Sequence, residues 1–242
     1  MATNQAIIAG RHNDEHPQDP ALLHHFATKE QQKNSASLGM WLFLAQEVMF
    51  FGGMFCAYLI YRYKYFGDFG SASQTLNIWY GAINTGVLLC SSLTVVLAVR
   101  AAQLSKRKAL TGWLVLTILL GLVFLGIKGI EYKEKFEDHH VPGASFTYTG
   151  TTPGHPDVPV DPHHAEIYFS LYFAMTGMHA LHMIIGVGLF GTLAVWSWRG
   201  KYSANYYTPI ENAGLYWHFV DIVWIYLFPL LYLIDRNKLL KL

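Results

Sequence analysis

Long apolar runs alternate with short polar links along most of this chain. After a polar stretch at residues 1–35, five apolar segments follow: Trp41–Leu59, Tyr80–Val99, Leu110–Ile127, Ile167–Trp198 and Ala213–Ile234. About 20 residues, at about 1.5 Å each, cross the hydrocarbon core of a bilayer, so every segment is long enough or nearly so. The pattern therefore predicts an all-α membrane protein, a bundle of five transmembrane helices.

The polar parts of the chain complete this organisation. Residues 1–35 form a polar N-terminal segment without the apolar run of a cleaved signal peptide, so insertion is expected to begin at the first membrane helix. Residues 36–242 form one transmembrane domain, without an internal repeat. Within it, residues 138–165 are rich in Gly, Pro and His, which predicts an irregular loop that caps one end of the bundle.

The link between the second and third segments indicates the orientation. In RAAQLSKRK, four of nine residues are basic: Arg100, Lys106, Arg107 and Lys108. The positive-inside rule puts this link in the cytoplasm. The N-terminus is then cytoplasmic, and the C-terminus and the loop at 138–165 are extracytoplasmic. The basic residues of the whole chain divide almost evenly between the two sides, so the prediction rests on this link.

Composition narrows the functional classes. Only 14% of the residues are charged and 52% are hydrophobic, whereas a soluble domain has about 25% charged residues. The formal net charge of +1 gives no basic field for nucleic acid. Cys56 and Cys90 lack the spacing of a metal or haem attachment motif, and no nucleotide-binding or hydrolase fingerprint occurs. Function must therefore be sought among the few polar residues in the apolar segments.

Five polar residues inside these segments are the candidate functional residues. Glu47 lies near the middle of the first segment, His179 and His182 lie in the fourth, and His218 and Asp221 share one helical face in the fifth. A charge at bilayer depth costs about 2.5–3.5 kcal/mol on insertion scales, so such groups face the interior, pair or stay neutral. We expect a buried polar network that joins the helices. Structural support and proton handling are both open roles for it.

Other residues suit the boundaries of the bundle. Glu131, near the end of the third segment, is expected at the solvated interface, and the side chain of Lys128 is expected to extend toward the same boundary. Trp217 and Trp224 carry large rings suited to interfaces with lipid or with another chain. These residues predict a bundle whose surface packs against lipid or another protein chain.

The histidines raise the alternative of a haem or metal protein. His179 or His182 facing His218 would supply the two axial ligands of a haem b, but lone imidazoles do not define such a site. The loop histidines have no fixed spacing on a rigid element, so a solvated loop is expected there rather than a copper or zinc site. We expect no catalytic residue, no cofactor and no metal in this chain.

Four stretches resemble subunit III of the haem-copper oxidases, the cytochrome c oxidase family. ENAGLYWHFVDIVWIYLFPLLYLI resembles that family's signature terminal helix, and YFAMTGMHALHMIIG resembles its histidine-bearing helix, with Ala180 where glycine is commoner. WLFLAQEVMFFGGMF is similar to the helix with a buried glutamate, matched by Glu47, and GIEYKEKF to an element matched by Glu131 and Tyr132. The mitochondrial form has seven helices, whereas this chain resembles the bacterial five-helix form.

The resemblance implies a subunit of a terminal oxidase that reduces oxygen to water in aerobic respiration. The haems and copper would lie in partner subunits, with subunit I as the main contact and subunit II and further respiratory subunits beside it. This chain would stabilise subunit I, bind phospholipid and support proton uptake in the bacterial plasma membrane.

Three alternatives stay open. Subunit III of a quinol oxidase, or an accessory subunit of a nitric oxide reductase, would share the fold, since this chain does not set the electron donor. A membrane transporter is a third alternative, because buried carboxylates and histidines also form proton relays. The absence of a sequence repeat counts against it.

Overall fold

The computed structural model describes residues 26–234, apart from Ala144, Gly154 and Asn205. These residues form six helices and one short antiparallel ribbon: α1 (Lys29–Lys64), α2 (Phe66–Gln74), α3 (Ile78–Gln103), α4 (Arg107–Glu137), β1 (Thr151–Thr152), β2 (His155–Pro159), α5 (Pro162–Trp198) and α6 (Thr208–Tyr232). Among the helices, all except α2 are long and apolar enough to cross a membrane. The predicted bundle of five transmembrane helices is confirmed.

Side-chain caps set where three of the helices begin. An oxygen of Thr28, Asn77 or Asp161 accepts a hydrogen bond from a backbone N–H in the first turn of α1, α3 or α5. The first turns of α1 are polar, so this helix begins well before Trp41, where the apolar run starts. Hydropathy alone therefore underestimates the length of α1.

The helices α3, α4, α5 and α6 form a four-helix bundle in which each packs on the next and α6 packs back on α3. Helix α1 lies outside this bundle, against α5 and α6, and in the described part of the chain its backbone approaches neither α3 nor α4. The α3–α4 link, residues 104–106, marks one end of the bundle, here named the basic end. The helix α2 and the ribbon lie at the other end, named the cap end.

The middle of the bundle is filled by aromatic rings. Trp217 and Trp224 are both fully buried among the helices, which corrects the expectation that they face lipid or another chain. The bulk of Trp217 is accommodated by glycine: a Cβ atom on Gly121 would lie 2.9 Å from its ring, and one on Gly186 would lie 2.8 Å from it. The two tryptophans therefore hold the bundle together from inside.

The cap end is more ordered than the expected irregular loop. Helix α2 packs on α5 and on the ribbon within residues 138–161. The hydroxyl groups of Ser71 and Tyr148 are hydrogen-bonded at 2.9 Å, and His164 Nδ1 lies 2.6 Å from Asp68 Oδ2. Polar side chains thus tie α2 to the loop and to α5, a set of long-range contacts that local composition does not reveal.

Candidate functional site

The five predicted residues lie in three separate places rather than in one network. Glu47 and His182 meet between α1 and α5, His179 lies inside the four-helix bundle, and His218 and Asp221 lie at the seam between α6 and α3. No hydrogen bond joins these three places among the described residues. The expected single network is therefore not formed, because α6 stands between α1 and α3.

The first place is a carboxyl–imidazole pair. His182 Nε2 lies 3.2 Å from Glu47 Oε2, and both side chains are largely buried. His182 Nδ1 donates a hydrogen bond to the carbonyl oxygen of Met178 at 2.9 Å. With Nδ1 so engaged, Nε2 is the ring nitrogen that faces the carboxyl group. The Nε2–Oε2 line lacks the alignment of a full hydrogen bond.

The second place is the ring of His179, which is almost completely buried. It packs between the rings of Phe124 and Trp224, with centroid distances of 5.4 and 5.3 Å. Neither ring nitrogen has a hydrogen-bond partner in the described part of the chain. His179 thus faces the bundle interior while His182 faces α1 and His218 faces α3, so these histidines are not arranged as a facing pair of haem ligands.

The third place, here named the seam cluster, consists of Ser92, His218 and Asp221. The Ser92 hydroxyl is hydrogen-bonded to His218 Nδ1 at 2.7 Å and also lies beside the Asp221 carboxyl group. Asp221 is only 3% exposed, yet neither of its carboxyl oxygens has a hydrogen-bond partner among the described residues. The half-buried His218 makes no second hydrogen bond there. The seam cluster is therefore left incomplete by this chain.

A fourth polar group, here named the α4 cluster, was missed as a buried site by the sequence analysis. Glu131 is 1% exposed and Lys128 is 3% exposed, which corrects the expectation that both reach the solvated boundary. Lys128 Nζ donates hydrogen bonds to Glu131 Oε2 at 3.0 Å, to Tyr232 at 2.8 Å and to Tyr172 at 3.2 Å. Each tyrosine hydroxyl in turn donates to Glu131 Oε1, at 2.8 Å from Tyr172 and 2.5 Å from Tyr232.

This closed arrangement explains why two charges tolerate full burial. Each charged group has several hydrogen-bond partners, which is the condition under which a buried ion pair survives desolvation. Lys128 and Glu131 are three residues apart and share one face of α4, which is the one local signal in the sequence. Their tyrosine partners come from α5 and α6, far along the chain.

A metal ion requires several suitable side chains close together. Within the described ranges, no three His, Cys, Asp or Glu side chains lie close enough together to hold a metal ion.

Comparison with known proteins covers nearly all of this architecture. The family model described as cytochrome c oxidase subunit III matches residues 22–152 and 163–235. Cytochrome c oxidase subunit 3 of Corynebacterium diphtheriae is 32% identical over 204 residues, which cover 84% of this chain and 89% of that protein. The protein of the same name from Thermostichus vulcanus is 30% identical over 201 residues, covering 82% of this chain and 87% of that protein.

A relative from an animal matches over a smaller share of its own length. Cytochrome c oxidase subunit 3 of Loxodonta africana is 31% identical over 206 residues, which cover 83% of this chain and 70% of that protein. The matched region includes α1, α5 and α6, and so it includes the carboxyl–imidazole pair and the seam cluster. With its five spans, and with these motifs in the same order, the chain belongs to the cytochrome c oxidase subunit III family.

Proposed function

We propose that this chain is a subunit of a haem-copper terminal oxidase, that it holds no redox centre itself, and that it stabilises the catalytic subunit I. The observation that carries the proposal is the family match over residues 22–152 and 163–235. The distribution of the buried polar groups supports it. One set is saturated within the chain and fixes the bundle, and another is left open at its surface, as expected of a preformed docking body.

Support of proton uptake is assigned to the pair formed by Glu47 and His182. The geometry supports this assignment, because His182 Nε2 lies 3.2 Å from Glu47 Oε2 while Nδ1 is engaged by the Met178 carbonyl oxygen. A Glu47→Gln variant separates the possible roles. Slowed proton uptake by the oxidase would support proton handling, whereas unchanged turnover and pumping would restrict the pair to holding α1 on α5.

Phospholipid binding is assigned to the cavity between the start of α1 and the start of α6. It has a volume of about 680 Å³, and its lining includes Lys29 and Lys33 beside the apolar surfaces of Phe26, Tyr206 and Pro209. Ammonium groups next to an apolar wall suit a phosphate headgroup and its acyl chains. Lipid analysis of the purified complex before and after Lys29→Ala with Lys33→Ala tests this assignment, because loss of a bound phospholipid is expected.

The proposed location is the bacterial plasma membrane, with the basic end of the bundle in the cytoplasm. Arg100 and Arg107 flank the α3–α4 link at this end, and the positive-inside rule favours that side for it. Labelling single cysteines with an impermeant reagent in whole cells tests the orientation: Ser105→Cys should stay unlabelled and Ser145→Cys at the cap end should react.

Purification of the tagged chain in mild detergent tests the central proposal. Subunit I, with its haem absorption, should co-purify, and the separated chain should show no Soret band. A chain that purifies as a lone monomer, or that carries haem itself, would overturn the proposal. A dinuclear copper motif in the co-purified subunit II would identify cytochrome c as the electron donor and exclude the quinol oxidase alternative.

A further inference from the structure

A groove runs between α1 and α3, with α6 as its floor. Because α1 and α3 do not approach each other, this groove, here named the α1–α3 groove, is open along the side of the bundle. Its wider part, at the basic end, is a cavity of about 570 Å³. The residues that line it include Lys33, Val96, Arg100, Glu211, Leu215 and His218.

The groove has the length and the surface of a helix-binding site. Along its floor, Glu211, Leu215, His218 and Ile222 follow the three- and four-residue spacing of a single face of α6. They extend over about 16 Å, at about 1.5 Å per residue. Beyond the cavity, exposed apolar side chains continue along the α3 wall (Leu89 and Leu93) and along the α6 floor (Ile222 and Ile225).

The seam cluster distinguishes this groove from an ordinary lipid-facing surface. His218 lines the groove with a ring nitrogen that has no hydrogen-bond partner among the described residues. Hydrocarbon chains offer no hydrogen bonds, and each unsatisfied polar group in the bilayer core is costly. An occupant that brings a hydrogen-bonding group to the depth of His218 would complete this site.

The outward face of α4 shows the contrast. Leu119, Leu122 and Val123 are exposed and apolar there, whereas the buried charges of α4, Lys128 and Glu131, are satisfied within the chain. That face needs no further hydrogen-bonding group, so it supplies a matched control surface.

We infer that the α1–α3 groove receives a transmembrane helix of another subunit, and that a polar side chain of this helix hydrogen-bonds to His218. The inference rests on the proposed function, which supplies the partner subunits. Near the mouth of the groove, Lys33 and Glu211 are paired at 3.7 Å and Arg100 lies beside them. These charges provide polar contacts for the partner helix where it leaves the hydrocarbon.

Photo-cross-linking in the intact complex tests the inference. A photoreactive amino acid is placed in the groove, at Leu215 or Ile222, and on the control face, at Leu119 or Val123. The groove positions should cross-link to one transmembrane helix of another subunit, and the control positions should give lipid adducts without protein products. Lipid adducts alone from the groove, protein products only from the control face, or cross-links to a second copy of this chain would each overturn the inference.

The hydrogen bond to His218 has its own test. Polar contacts between membrane helices are worth about 0.6 kcal/mol and at most about 1.7, so His218→Leu should lower the ratio of this chain to subunit I by about 3-fold to 20-fold. His218→Gln keeps a donor and an acceptor and should largely restore the ratio. Because His218 also bonds to Ser92 within this chain, Ser92→Ala serves as the control: it removes only the intrachain hydrogen bond and should leave the subunit ratio largely unchanged.

Different results would overturn the proposed function and the groove inference. If the unmodified chain does not co-purify with subunit I, the proposed function itself fails. If it co-purifies while the groove positions give no protein cross-link, or while His218→Leu leaves the subunit ratio unchanged, only the groove inference is overturned.

Discussion

The α4 cluster and the seam cluster each combine a carboxyl group, a basic group and at least one hydroxyl group. They differ in how many of these polar atoms have hydrogen-bond partners. In the α4 cluster, the Lys128 ammonium contacts three oxygens and both oxygens of Glu131 accept hydrogen bonds. In the seam cluster, Asp221 has no partner for either oxygen within the described ranges. The presence of a charged residue in an apolar segment therefore does not show whether that residue supports folding or assembly.

Saturation of hydrogen bonds separates the two roles. A fully connected buried network rigidifies the protein that contains it, and losing one member leaves an unpaired charge. A cluster with open partners contributes little to its own chain and acquires its value when another molecule completes it. The α4 cluster should therefore control folding, and the seam cluster should control assembly.

The largest expected effect is that of breaking the α4 cluster. Glu131→Leu leaves the buried ammonium group of Lys128 without its carboxylate, which should lower the free energy of unfolding by about 3–5 kcal/mol. Adding Lys128→Met removes the unpaired charge and should recover most of this loss. Denaturant unfolding of the separated chain in detergent micelles measures both values. Equal losses in the single and the double variant would contradict the ion-pair explanation.

Asp221→Leu should affect assembly with the oxidase more than the stability of the separated chain. Because neither carboxyl oxygen has a well-formed hydrogen bond among the described residues, with only the Ser92 hydroxyl beside the group, the free energy of unfolding should change by less than about 1 kcal/mol. Retention of the chain in the purified oxidase should fall, since Asp221 lies beside Ser92, the partner of His218, and leucine there would displace His218 from its position for the partner helix, while Asp221→Asn should retain more. Full subunit content together with a destabilised chain would reverse the roles that we assign.

The pair between α1 and α5 should lie between these extremes. A double-mutant cycle with Glu47→Leu and His182→Leu should give a coupling energy of about 0.6 kcal/mol and at most about 1.7, the range for polar contacts between membrane helices. The free energy of unfolding of the separated chain provides the measurement. A coupling energy of zero would mean that the 3.2 Å approach does not hold α1 in place.

The smallest effect concerns acidity at the cap end. Burial lowers the pKa of His140 below its usual value, with the ammonium of Lys135 acting in the same direction and Asp138 opposing it. The unfolded chain therefore takes up a proton first, near a pH of about 6.5. The stability of the cap end should fall as pH drops below that value toward the lower pKa of the folded state, and it is complete at higher pH.

Substitution of His140 by phenylalanine isolates this effect. The ring stacks on Phe169 at a centroid distance of 4.9 Å, so His140→Phe keeps the packing and removes the titrating group. Hydrogen exchange of the cap end at neutral and mildly acidic pH should then lose part of its pH dependence. The exposed His163 gives the control, since His163→Phe should leave that dependence unchanged.

The sequence predicted the spans because each requires only a long apolar run, which is a local property. It did not predict α2 or the ribbon, whose order depends on contacts such as those of Asp68 with His164, almost a hundred residues away. The α4 cluster was missed for the same reason. Lys128 and Glu131 lie just past an apolar run, and only the tyrosines of α5 and α6 show that they are buried.

The positions of the tryptophans could not be predicted from the sequence for a different reason. A large ring with one polar atom suits both a membrane boundary and the interior of a bundle, so residue type does not decide between them. The glycines on α4 and α5 that make room for Trp217 settle the matter in three dimensions. Likewise, the sequence does not show which imidazole faces Glu47, because this depends on how α1 packs on α5.

The separation of α1 from α3 and α4 also has a consequence for biosynthesis. Chains are made from the N-terminus onward, so α1 is synthesised first among the spans, while its contacts are with the last two, α5 and α6. Until those two emerge, α1 must remain in the bilayer without its helix contacts. The first span to be synthesised is therefore the last to be packed, and the groove along its side is completed only when synthesis of the bundle ends.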